Sequence, residues 1–172
     1  MAILGRISPF RLDLFRPLRK KESTRIFRTL DPALVSFLDA DTRDEAIDAL
    51  IELLASAGKL PDKALFRNAI FQREKLASTG IGIGIAVPHA KMKNLSEFFI
   101  AIGIQRKKGL EWNSLDTAPV RIIFMIGGPE DKQSEYLQIL SQLTSAIKNV
   151  DLRKSLLKSQ SPEQVLRLFS ES

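Results

Sequence analysis

The chain has 172 residues, 44% of them hydrophobic and 27% charged, a length and balance that suit one soluble domain with a buried core and leave little room for two. It has no cysteine, which excludes disulfides, zinc–thiolate centres and cysteine nucleophiles, and with one histidine any transition-metal site would depend on carboxylates; no metal or cofactor is expected. The net charge of +6 is concentrated in residues 1–22, where Arg6, Arg11, Arg16, Arg19, Lys20 and Lys21 stand against Asp13 and Glu22, so the nucleic-acid partner that a basic total suggests is not expected for the folded body.

In chain order, residues 1–22 read as a flexible basic extension and residues 23–172 as the folded domain. Ser8-Pro9 can open a short helix, but Pro17 interrupts the face that Phe10, Leu14 and Leu18 would share. Such a segment suits weak contact with a membrane or an acidic surface; it has no aromatic platform for nucleic acid. No segment has the length of a membrane span, and Arg11, Asp13 and Arg16 break what a signal peptide would need as its apolar centre, so a cytoplasmic location is expected.

"ALVSFL" at 33–38 reads as a strand. A helix follows from Thr42, which forms a capping box with Glu45; Ala46, Ile47, Leu50, Leu53 and Leu54 recur at helical spacing, and Gly58 ends it. A second helix runs from Pro61-Asp62 to about Lys75, with Leu65, Ala69, Ile70 and Leu76 as its buried stripe. Residues 98–105 and 119–128 are apolar, β-branched runs that read as central strands buried on both faces. The connection between them tucks Leu110 and Trp112 against the body. An amphipathic helix follows, marked by Tyr136, Leu137, Leu140, Leu143 and Ile147. The chain closes on a short helix with Ser161 as N-cap, Pro162 in the first turn and Gln164 completing a capping box. The expected fold is a single α/β sandwich, a central mixed β-sheet flanked by helices.

Between the second helix and the first central strand lies "REKLASTGIGIGIAVPHAK", residues 73–91. Gly80, Gly82 and Gly84 do not form a dinucleotide fingerprint, because the spacing is wrong and a helix precedes them; no Gly-Lys-Ser/Thr follows for a nucleotide P-loop. The glycines permit positive φ and expose backbone amides, an arrangement that favours anions. Pro88 fixes its own φ and pushes Val87 extended, which delivers His89 at a stiff point on the end of an apolar strand. A neutral imidazole beside an anion-friendly loop suits phosphoryl chemistry. On its own, a lone histidine is better explained by a structural or merely exposed role.

The segment resembles the active-site stretch of the type-2 (fructose/mannitol) IIA components of the bacterial phosphoenolpyruvate-dependent sugar phosphotransferase system, nearest the nitrogen-regulatory branch. Arg73-Glu74-Lys75, Ser78-Thr79-Gly80, Gly82, Gly84 and Ala86-Val87-Pro88-His89 match in order and spacing, and the likeness covers about residues 28–170. It implies that His89 accepts a phosphoryl group from an HPr-like phosphocarrier, that Arg73 lies over the site and pairs with phosphoryl oxygens, and that the loop of Ser78, Thr79, Gly80, Gly82 and Gly84 supports the phosphate without metal. Two positions depart from the pattern. Tyr136 stands where the family has a second histidine, which puts the transfer rate in question; Tyr136→His is expected to raise it. Ile83 stands where asparagine is common, within an apolar rim of Ile81, Ile83 and Ile85. The expected function is a regulatory IIA protein that binds partners according to phosphorylation state. A sugar-specific IIA component and a IIA-fold binding module that no longer transfers phosphate are the alternatives. A hydrolase using His89 as base lacks a partner in the motif.

Overall fold

The two apolar runs expected as central strands form the middle of a six-stranded mixed sheet. The computed structural model describes residues 29–171 and runs β1 (Val35–Leu38), α1 (Arg43–Ser56), α2 (Lys63–Leu76), β2 (Gly80–Gly82), β3 (Ile85–Ala86), β4 (His89–Met92), β5 (Phe99–Gln105), β6 (Ile122–Pro129), α3 (Gln133–Ile147), α4 (Val150–Lys158) and α5 (Pro162–Ser170). The basic extension, the short helix read in it and the boundary at residue 23 lie outside the described residues. No helix among the described residues is long and apolar enough to cross a membrane.

β5 and β6 pair antiparallel from Phe99↔Gly127 to Ile104↔Ile122, and every residue of both strands is buried. Their alternation divides the core into two layers. Ile100, Ile102, Ile104, Ile122, Phe124 and Ile126 pack with α3, α4 and α5, whereas Phe99, Ala101, Ile123 and Met125 pack with α1 and α2. β1 runs parallel to β5 on one side. On the other side of β6 two short strands lie end to end, both parallel to it: β3 against residues 122–123 and β4 against residues 126–129. β2 folds back on β3 as the outer edge.

The helix signals act as expected at three ends. The Thr42 hydroxyl accepts the Glu45 amide at 3.2 Å, and the Glu45 carboxylate accepts the Asp41 amide at 2.8 Å, one residue before the cap. Gly58, at φ +70°, ends α1 while the Lys59 amide returns to the Leu54 carbonyl. Ser161 caps α5 by accepting the Gln164 amide at 3.3 Å.

Other expectations are corrected. Residues 33–34 belong to a 3-10 turn over Pro32–Leu34, capped by the Asp31 carboxylate, so the strand starts two residues later. The buried stripe of α2 is Phe66, Ile70 and Glu74, with Leu65 and Leu76 exposed. In α3, Ile139 is buried in place of Leu137, which is exposed. α4 was not expected; the Asn149 side chain accepts the Asp151 and Leu152 amides and starts a new helix there. The apolar strand expected before His89 is β3, while β2 and β4 come from the segment expected as a glycine loop and its exit.

Candidate functional site

His89 sits where the line from β3 to β4 is interrupted. Pro88 has no N–H to give to the sheet, and an interruption is tolerated here because the line lies along one side of β6 without a continuous partner beyond it. The chain is re-joined to the sheet when the Ile126 amide donates to the Pro88 carbonyl at 3.0 Å. His89 therefore begins β4 and does not end the apolar strand before it. It registers with Ile126, just past the middle of β6.

The imidazole is oriented by its own backbone. Nδ1 lies 2.7 Å from the Val87 carbonyl, an acceptor only, so Nδ1 carries the proton and Nε2 keeps its lone pair. The Arg73 Nε–H, from the last turn of α2, donates to His89 Nε2 at 3.2 Å, while its Nη1 donates to the Ala77 carbonyl at 2.9 Å and fixes the guanidinium. Burial holds the histidine below its ordinary value of 6.5, and the Arg73 and Lys91 charges push it the same way; the Val87 bond and the Glu74 charge work against this. At neutral pH the ring is a neutral nucleophile with Nε2 facing a guanidinium.

Tyr136, in the first turns of α3, comes to His89 as the alignment of its segment implied. The two ring centroids are 5.7 Å apart at 43°, and Phe98 stacks behind Tyr136 at 6.3 Å. Burial raises the phenol above its ordinary value, so it remains a neutral hydroxyl. Lys91 was not singled out from the sequence. It follows His89 by two positions on β4, so it shares that face, and its Nζ stands 4.8 Å from the Tyr136 ring centroid and donates to the Gln133 side-chain oxygen. The signal was present as a basic residue at strand spacing from the histidine, but the strand itself had not been read.

The glycine loop is a small hairpin in which Gly82, Ile83 and Gly84 all have positive φ, at +90°, +55° and +77°. For isoleucine this conformation is strained. It is held by Asp116, whose carboxylate accepts the Ile83 amide at 2.7 Å and the Ala118 amide at 3.0 Å; these bonds keep the Asp116 carboxyl below the usual carboxylate range. A Cβ on Gly82 would meet Asp116 Oδ2 at 3.0 Å, and one on Gly80 would meet the Ser114 hydroxyl at 2.2 Å, so both glycines are set by close approach. Beneath the hairpin, buried Glu74 accepts the Thr79 amide at 3.0 Å and its hydroxyl at 2.5 Å, and the Trp112 indole donates to that hydroxyl at 3.2 Å.

This geometry revises the expected phosphate cradle. The amides of Thr79, Gly80, Ile83 and Val87 are taken by Glu74, Ser78, Asp116 and the Thr79 carbonyl, and the Ser78 hydroxyl donates to the Trp112 carbonyl. Ser78, Thr79 and Gly80 thus shape the loop from inside, and the charge facing His89 comes from Arg73 and Lys91. The expected rim is also redrawn. Ile81 and Ile83 are exposed, but Ile85 is a core residue of β3. The rim continues instead into Leu115, which is 98% exposed beside Asp116. Among the described residues, basic and acidic side chains pair elsewhere, but neither Arg73 nor Lys91 pairs with a carboxylate. The site therefore holds a neutral nucleophile and two uncompensated cations, which suits an electrophile bearing anionic oxygens.

Comparison with known proteins bears on this arrangement. Residues 28–172 match the family model described as "Phosphoenolpyruvate-dependent sugar phosphotransferase system, EIIA 2". The fructose-specific EIIABC component of Bacillus subtilis is 34% identical over 134 residues, which are 78% of this chain but 21% of that protein, so the chain spans about a fifth of that relative. The fructose-specific EIIA component of Haloferax volcanii is 33% identical over 130 residues, 76% of this chain and 84% of that one. The crystal structure of nitrogen regulatory protein IIA-Ntr from Neisseria meningitidis superposes with a TM-score of 0.77 at 27% identity, covering 84% of this chain and 99% of the other.

Proposed function

Because the chain belongs to the EIIA 2 family of the phosphoenolpyruvate-dependent sugar phosphotransferase system, we propose that it carries a phosphoryl group on His89 Nε2, received from an HPr-like phosphocarrier. The observation that carries this reading is the fixed tautomer: Nδ1–H is committed to the Val87 carbonyl, and Nε2 faces Arg73 at 3.2 Å. The new P–N bond forms at Nε2 as the donor's bond to phosphorus breaks, and the electron pair of that bond returns to the donor. Arg73 meets the oxygens on which charge is spread; Glu74, Ser78, Thr79, Gly80, Gly82 and Gly84 keep the loop in place, and Tyr136 packs against the acceptor ring. The work is positioning and charge stabilisation by the chain's own residues.

Residues 23–172 form the carrier domain on this reading and residues 1–22 an appended basic segment for weak contact with an acidic or membrane surface. The location is the cytoplasm, where phosphoenolpyruvate is made. We assign the chain to regulation: phosphorylation adds close to two negative charges beside the rim of Ile81 and Ile83, repelling acidic partners and recruiting arginine-bearing ones. A sugar-specific role is the second reading, and the fructose-specific relatives at 34% and 33% identity favour it.

The test is intact-protein mass spectrometry at alkaline pH after incubation with phosphoenolpyruvate, Enzyme I and an HPr-type carrier. The expected result is a gain of one phosphoryl mass that is absent in His89→Ala. Labelling that persists in His89→Ala ends the proposal, and no labelling of the wild type leaves a binding module of the same fold.

A further inference from the structure

Lys91 has an unusual setting for a surface cation. It is half-buried and is turned across the face of a buried tyrosine toward a neutral amide, with no carboxylate partner among the described residues. Both groups that hold it, Gln133 and Tyr136, come from the start of α3, and the tyrosine is itself backed by Phe98. The same tyrosine ring lies against His89. Strand alternation sends His89 and Lys91 to one face of β4, with Arg73 arriving from the end of α2. A lysine required only for solubility would extend into water. This one is stored beside the reactive ring, its charge undiminished by its neutral partners.

We propose that Lys91 is a second catalytic cation of this site, and that Tyr136 and Gln133 are its positioning residues. The proposal rests on His89 being the phosphoryl acceptor. When the P–N bond forms at Nε2, the three oxygens of the transferring group project beyond the ring. Arg73 meets them from α2, and the Lys91 ammonium leaves the tyrosine face to meet them from β4. No proton is exchanged and no further reactant enters: the group leaves the donor nitrogen with the donor keeping its electron pair, and lysine stays protonated throughout. In this chain the tyrosine at the place of the family's second histidine acts as the perch for a cation.

The experiment measures initial labelling rates of the full chain with two donors: phosphoramidate, which has no protein surface, and the phosphorylated HPr-type carrier. Lys91→Gln is expected to be about tenfold slower with both donors, as loss of one charged contact to a phosphoryl group dictates. Lys91→Arg is expected to recover most of the rate, and Tyr136→Leu to be about threefold slower, matching loss of a modest cation–π contact. His89 is expected to titrate at higher pH in Lys91→Gln, read by NMR of the imidazole, because a neighbouring positive charge is gone; a purely structural role leaves that titration in place. Equal labelling of Lys91→Gln and wild type overturns the role of Lys91 while the acceptor reading stands. A defect seen with the carrier alone makes Lys91 a docking contact and also overturns it. If neither donor labels the wild type, the acceptor reading itself fails.

Discussion

The β5–β6 pair and the β2–β4 edge belong to one sheet but are stabilised in opposite ways. β5 and β6 are continuous, wholly buried and rich in Ile, and their shape is held by apolar packing from helices on both faces. The edge is short-stranded, contains three consecutive positive-φ residues, and is held by polar groups reaching in from other segments: Glu74 from α2, Trp112 and Asp116 from the β5–β6 connection. The centre supplies free energy and the edge consumes some of it to keep a nucleophile in one orientation. Strain gathered where a side chain must be aimed fits a working site on an otherwise relaxed scaffold.

That contrast can be broken most forcefully at the centre. Phe124→Ala removes a fully buried ring packed edge-on to Phe169, and unfolding free energy is expected to fall by about 3–5 kcal/mol. Chemical denaturation checks this, and the labelling rate of the protein that remains folded is expected to be unchanged. Glu74→Ala strikes the edge: it leaves the Thr79 amide and hydroxyl without their acceptor, for a loss of about 1–3 kcal/mol. Here labelling is expected to slow as well, because the loop that presents His89 loosens; an unaltered rate would separate the polar network from the site. Ile83→Asn sharpens the comparison by reversing the sign. Asparagine tolerates the left-handed conformation, so the variant is expected to be more stable by about 1 kcal/mol, read as a higher denaturation midpoint.

The smallest effect is in pH. The histidine is depressed in the fold, so between its folded value and 6.5 the unfolded chain binds more protons than the native one. Its contribution to stability is complete above 6.5 and is lost as pH falls through the folded value. His89→Gln is expected to flatten the stability profile in that window, as followed by denaturation at a series of pH values. A profile that stays unchanged would show that the ring is not desolvated as described.

The centre of the fold was legible because its signals are local. Continuous apolar runs gave β5 and β6, capping residues gave the ends of α1 and α5, and the Arg-Glu-Lys to Pro-His segment pointed to the arrangement around His89. What stayed hidden depends on pairing across distance. β2 and β4 are three and four residues long, carry glycine or polar residues, and exist because β3 and β6 are there to receive them. Lys91 was hidden with them, since its face could be assigned only once β4 was known. The stripe of α2 was misread because an acidic residue, Glu74, faces inward to bond Thr79. Asp116 lies 33 residues from Ile83, and nothing in either segment announces the other.

The proton shared between His89 Nδ1 and the Val87 carbonyl also bears on how readily the proposed cargo is given up. Attack through Nε2 leaves that proton on the ring, so the phosphorylated form is an imidazolium whose P–N bond breaks to release neutral imidazole, a good leaving group. A ring stripped of the proton would hold phosphorus more firmly. On the proposed function, one backbone carbonyl, two residues from the histidine, would thereby serve both directions of transfer: it would choose the nitrogen that loads and keep the loaded state at high transfer potential, a carrier charged for delivery instead of storage.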